Sequence, residues 1–151
     1  MPATFSSFIA ELEQVQGHPL ALVDMRSFTC LFDDDFVVET TLADDGRFLV
    51  TDVWVGPTGD IPHQQHALLM TILLEINGYA GMMHGAACSL DEESRIVLSH
   101  AQPLAQLSAA LYLANLHNML EQARQLRKMI LTIYPVITIM QDADSALPDQ
   151  A

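Results

Sequence analysis

The chain is poor in positive charge. Among 151 residues there are 6 Lys plus Arg against 19 Asp plus Glu, a formal net charge of −13. Nucleic-acid backbones require a basic stripe, and anionic membrane surfaces require basic clusters. Both partner classes are excluded as expectations, and a neutral or basic partner suits the field better. Cysteine is scarce too: Cys30 and Cys88 cannot form a disulfide scaffold. Each sits in an apolar strand-like run, where a free thiol behaves as a small buried hydrophobe in a reducing compartment. Long hydrophobic runs are missing. Stretches 67–76 and 129–140 are the longest mostly apolar segments, well short of the roughly 20 residues of a spanning helix. Residues 1–10 contain no Lys or Arg and no long apolar core, unlike a signal peptide.

What remains is ample for a core. Half of the residues are hydrophobic, which excludes global disorder and suits one domain over 1–134 with a partly disordered tail over 135–151. Phe5, Phe8, Ile9, Leu12 and Val15 line one face of a helix over 4–16, and Gly17 and Pro19 stop it. From Phe28 the period changes to two. Runs 28–32, 36–42 and 47–55, separated by Asp33-Asp34-Asp35 and Asp44-Asp45-Gly46, predict an antiparallel meander of three strands. In the third, Arg47, Leu49, Thr51, Val53 and Val55 face one way, and Phe48, Val50, Asp52 and Trp54 the other.

Turn residues 56–60 precede Pro62, which opens a second helix ending near Asn77 and Gly78. Its segment 67–76 is apolar nearly all round, so it needs cover on more than one side. A second subunit is the simplest cover. Two further strands, 82–90 and 95–101, flank Asp91-Glu92-Glu93-Ser94. Pro103 is read as the start of a third helix reaching about Tyr134, with Tyr112, Leu116, Met119, Ala123, Leu126 and Ile130 along one stripe. The predicted fold is α+β, in the order α-β-β-β-α-β-β-α, with three helices packed on a mostly antiparallel twisted sheet.

No catalytic constellation emerges. His63 and His66 form an H-x-x-H pair without the glutamate of a metalloprotease helix. Contiguous Asp33-Asp34-Asp35 does not reproduce the alternating acids of a calcium loop. His84 and Cys88 fall on one strand face and, with Cys30, could form a thiol–imidazole or metal group. Their neighbours Met82, Ala86 and Leu90 favour a core histidine instead. Phosphate-cradling glycine motifs and the G-x-S-x-G elbow are both missing. No enzyme activity, cofactor or metal is expected. A small enzyme or metal protein using His63, His66, His84 and Cys88 is the outlying alternative.

Several features together resemble one family over roughly 5–130. They are the short amphipathic first helix and the Cys30-Leu31-Phe32-Asp33-Asp34 strand running into Val37-Val38-Glu39. The turn 56–62 precedes Leu73-Leu74-Glu75-Ile76-Asn77. The acidic hairpin 91–94 and the spacing of Pro103, Leu104, Leu107 and Leu111 complete the pattern. In size, acidity and element order the chain resembles the class I type III secretion chaperones, and the apolar tail after Pro135 departs from them.

The resemblance implies a cytoplasmic bacterial homodimer without ATP that holds an extended N-terminal segment of a secreted effector, keeping it soluble and export-competent. It places the second helix and fourth strand at the dimer seam. The candidates there are Leu69, Ile72, Leu73, Ile76, Met83, Gly85 and Ala87. Cargo would add a strand to a sheet edge and fill apolar grooves. The groove candidates are Phe5, Phe8, Leu12, Leu31, Phe36 and Val38, with an ordinary core as the competing role, above all for the helix residues. A dimeric regulatory or adaptor domain of the same fold is the alternative function.

Overall fold

The computed structural model describes residues 4–32, 36–57, 63–78, 86–90 and 95–133. The segments 33–35, 82–85, 91–94 and the tail 135–151, all singled out in the sequence, lie outside the described residues.

Helix α1 spans Phe5–Gln16. Thr4 caps it in a reciprocal box with Ser7, and Gly17 ends it in the left-handed conformation that glycine adopts without steric cost. Strands β1 (Leu22–Asp24), β2 (Ser27–Phe32), β3 (Phe36–Leu42) and β4 (Phe48–Pro57) follow. Then come α2 (His63–Gly78), β5 (Ala87–Leu90), β6 (Arg95–Pro103) and α3 (Ala109–Ile133). The six strands form one antiparallel sheet in the order β1-β2-β3-β4-β6-β5. The α+β class and the three helices agree with expectation.

Two expectations need correction. The expected order has three strands before α2, whereas the structure has four: Leu22–Asp24 forms an additional one, because Leu22 and Asp24 pair with Phe28 and Ser27 across a tight turn. Pro103 does not open the last helix. It ends β6 as the partner of Phe48, a 3-10 turn covers Leu104–Gln106, and α3 starts at Ala109. At the extreme end of a strand, proline's missing N–H costs no ladder bond. Ser108 supplies the start of α3: its hydroxyl accepts from the Leu111 N–H.

The alternation predicted for β4 holds. Leu49, Thr51, Val53 and Val55 are buried, Val50, Asp52 and Trp54 half-buried, and Phe48 exposed. The buried face joins Phe8, Ile9 and Leu12 of α1, Leu69 and Leu73 of α2 and the α3 stripe in one continuous core. Every member of the predicted stripe from Tyr112 to Ile130 is in it. Phe8 meets Tyr112 edge-on at 5.4 Å between centroids, and Phe28 lies 6.1 Å from the same ring. Glu11 of α1 accepts a bond from the Ala109 N–H through Oε1 (3.1 Å), so a side chain of the first helix caps the last.

Candidate functional site

The sheet has two edges, and they differ. β1 has only three residues, all exposed, and pairs with β2 only at Phe28 and Ser27. The Thr29 N–H reaches Ala21 O at 3.2 Å. By strand alternation, the N–H and C=O of Leu31 point to the same side. No described residue pairs with β2 there. The edge is apolar: Leu22, Val23, Met25 and Leu31 all expose their side chains, Leu31 by 61%. Around the end of β2 opens a cleft of about 570 Å³. Phe32, Leu113, Leu116 and Leu120 give it apolar walls, and His117, Glu121 and Arg124 give it a polar rim.

The groove candidates separate accordingly. Phe8, Leu12, Phe36 and Val38 are core residues, between 0% and 2% exposed. Phe5 is half-buried and stacks on Phe28 at 6.5 Å. Leu31 alone of the six is well exposed and adjoins the open edge. The cleft residues of α3 were missed by the sequence reading. The stripe through Leu116 points at this helix, but Leu113 and Leu120 lie beside it and carry no signal of their own.

Helix α2 carries the second uncovered surface. Leu69 and Leu73 are buried against the sheet, and Ile76 packs on the same core. Ile72 is half-buried and Ala87 of β5 exposed. Met83 and Gly85 lie outside the described residues. On the opposite side of the helix Leu74 is 65% exposed, with Ala67 and Thr71 also open, and Leu68, 53% exposed, and Met70 lie on its two flanks. The all-round apolarity thus resolves into an inner face on the sheet and an outer face that none of the described residues covers. Spacing alone did not reveal which leucine belongs to which.

Among the described residues no three His, Cys, Asp or Glu side chains come together to hold a metal. Cys88 is buried, and desolvation pushes its thiol up to about 11; burial raises Cys30 as well. Both are poor nucleophiles at neutral pH. Burial holds the Tyr112 hydroxyl well above the usual phenol range, and that hydroxyl bonds Thr40 Oγ1 at 2.6 Å inside the core. Burial also lowers His100, toward the neutral imidazole. Arg127 donates through Nε to Val55 O (2.7 Å) and lies 3.9 Å over the Phe36 ring, fastening α3 to the sheet. Among the described residues no helix is long and apolar enough to cross a membrane.

Among the described residues, the architecture leaves apolar side chains exposed at two places, the β1–β2 edge and the outside of α2. Residues 7–127 match the model of the Tir chaperone protein (CesT) family, and the chain belongs to that family: it is a type III secretion chaperone and not an enzyme. No curated protein matches it in sequence. Its fold is that of several solved structures. The ExsC–ExsE complex aligns with TM-score 0.69 and 21% identity, over 85% of this chain and 96% of that one. The HopA1–SchA chaperone–effector complex aligns with TM-score 0.63 and 20% identity, over 82% and 93%. The Yersinia pestis chaperone SycH, solved with a fragment of YscM2, aligns with TM-score 0.62 and 18% identity, over 82% and 99%.

Proposed function

We propose that the chain works as a cytoplasmic homodimer. On this reading it binds an extended N-terminal segment of a secreted effector and keeps that segment soluble and threadable. The observation that carries this reading is apolar surface that the described residues leave exposed at two separate places. The outer face of α2, with Leu68, Met70 and Leu74, suits a second copy of the same helix in a self-complementary seam. Ala87 of β5 is itself exposed, on the strand whose Cys88 backbone meets Asn77 of that helix. Membership in a chaperone family and the chaperone–effector complex of the same fold both support a polypeptide client.

At the other surface, an extended client adds a strand beside Leu31, where backbone groups face outward. Its apolar side chains enter the cleft between Phe32 and α3. The client is disordered alone, so its ordering entropy offsets part of the contact energy. A net charge of −13 favours a basic segment and keeps the empty dimer dispersed.

The test is capture from the native cell followed by mass spectrometry and limited proteolysis. Recovery of an effector whose N-terminal segment becomes protease-resistant in the complex supports the reading. Exclusive recovery of a partner that is fully folded on its own would make the chain an adaptor instead.

A further inference from the structure

At the second edge of the sheet a side chain occupies one outward-facing backbone pair. β5 ends the sheet beyond β6, and Cys88 is the partner of Leu98. The backbone of Cys88 turns away from β6 and meets the side chain of Asn77, on the last turn of α2. Asn77 Nδ2 donates to Cys88 O at 2.8 Å, and the Cys88 N–H donates to Asn77 Oδ1 at 2.6 Å. The carboxamide therefore makes the two bonds that one residue of an added strand would make. Strand β5 is four residues long, so Cys88 offers one of the two outward-facing backbone pairs within it. Unprotected edges recruit other chains, and folded proteins blunt them.

We propose that Asn77 seals the β5 edge against strand addition, so that an extended client pairs only with β2 and each protomer accepts a single added strand. The second half of this statement rests on the chaperone reading above; the seal itself does not. Asn77 is then a specificity-determining residue, acting by occupying the wrong edge rather than by touching the client.

The test uses the full chain without any client. Asn77→Leu keeps the branched skeleton of the side chain at the end of α2 and makes neither bond; Asn77→Ala is the smaller companion variant. Amide hydrogen exchange at Cys88 is measured together with light scattering. The expected result is exchange at Cys88 faster by about tenfold or more, with species larger than the wild-type particle. Adding Ser89→Lys, a charge on the exposed side of the same strand, should remove the larger species, since edge lysines discourage pairing. Unchanged Cys88 exchange overturns the seal. Faster exchange without larger species overturns it too, because Asn77 would then only tie α2 to the sheet. Effector capture by the wild type is a separate measurement, so the chaperone reading and the seal fail independently.

Discussion

Leu74→Asp is the perturbation that separates the outer face of α2 from the core. In the single chain Leu74 is 65% exposed, whereas its neighbour Leu73 is 1% exposed and packed on the sheet. Full burial of a leucine side chain contributes about 1.5–3 kcal/mol, so covering the exposed part of Leu74 contributes about 1–2 kcal/mol. A two-fold seam counts each residue twice, which makes the loss about 2–4 kcal/mol per dimer. At about 1.4 kcal/mol per tenfold, dissociation strengthens by about 30- to 700-fold. Two unpaired carboxylates in the seam add to that penalty. Sedimentation across nanomolar to micromolar concentration reads the shift, and circular dichroism checks that the monomer is folded. Leu73→Asp should instead abolish the fold at any concentration, because it buries a charge in the core. A wild type that sediments as a monomer at micromolar concentration refutes the seam. So does a Leu74→Asp protein that dimerises as tightly as the wild type.

At the β2 edge, Leu31→Asp should weaken effector capture while leaving the melting temperature nearly unchanged; Phe8→Asp, at a residue with no exposure, should lose both together. Equal loss of stability in the two variants would place Leu31 in the core. In the interior, Tyr112→Phe leaves the Thr40 hydroxyl buried without its 2.6 Å partner, beside a Thr51 Oγ1 that bonds no described residue. It should cost about 1–3 kcal/mol in urea unfolding, and adding Thr40→Val should recover most of that. Cys88 sets an alkaline limit. Its thiol stays protonated in the folded chain up to about 11, whereas in the unfolded chain it ionises near 9. Its contribution to stability is therefore present below pH 9 and lost as pH rises toward 11. Cys88→Ala should flatten that part of a stability–pH profile, and an unaltered slope would refute the linkage.

Where a periodic pattern had one dominant environment, the sequence was readable. The α1 face, the alternation of β4 and the α3 stripe all had apolar residues on one side, and burial followed them. The pattern failed where neighbours rather than period decide. Leu69 and Leu73 turn inward and Leu68 and Leu74 outward on a helix apolar on both sides, and nothing local distinguishes them. Pro103 carries the same chemistry at a strand end as at a helix start; only its pairing with Phe48 decides. Phe8, Leu12, Phe36 and Val38 have the composition of a groove, but the fold wraps them in other side chains. The open backbone at Leu31 depends on β1 being too short to cover β2, a fact of pairing that no residue type announces. Asn77 was visible as part of a helix ending, while its two hydrogen bonds to Cys88 span a chain segment that periodicity cannot bridge.

The Glu11 cap on Ala109 ties the beginning of the chain to a point 98 residues later. Phe8 likewise waits for Tyr112 to complete its surroundings. During synthesis the first helix leaves the ribosome with Phe5 soon met by Phe28, but with Phe8 short of its ring partner until most of the polypeptide has followed. Closure of so long a loop is entropically slow, which makes docking of that helix a late event in maturation. A product cut short before residue 109 would lack the lid of its own interior, and clearance by proteolysis would be its fate rather than partial service.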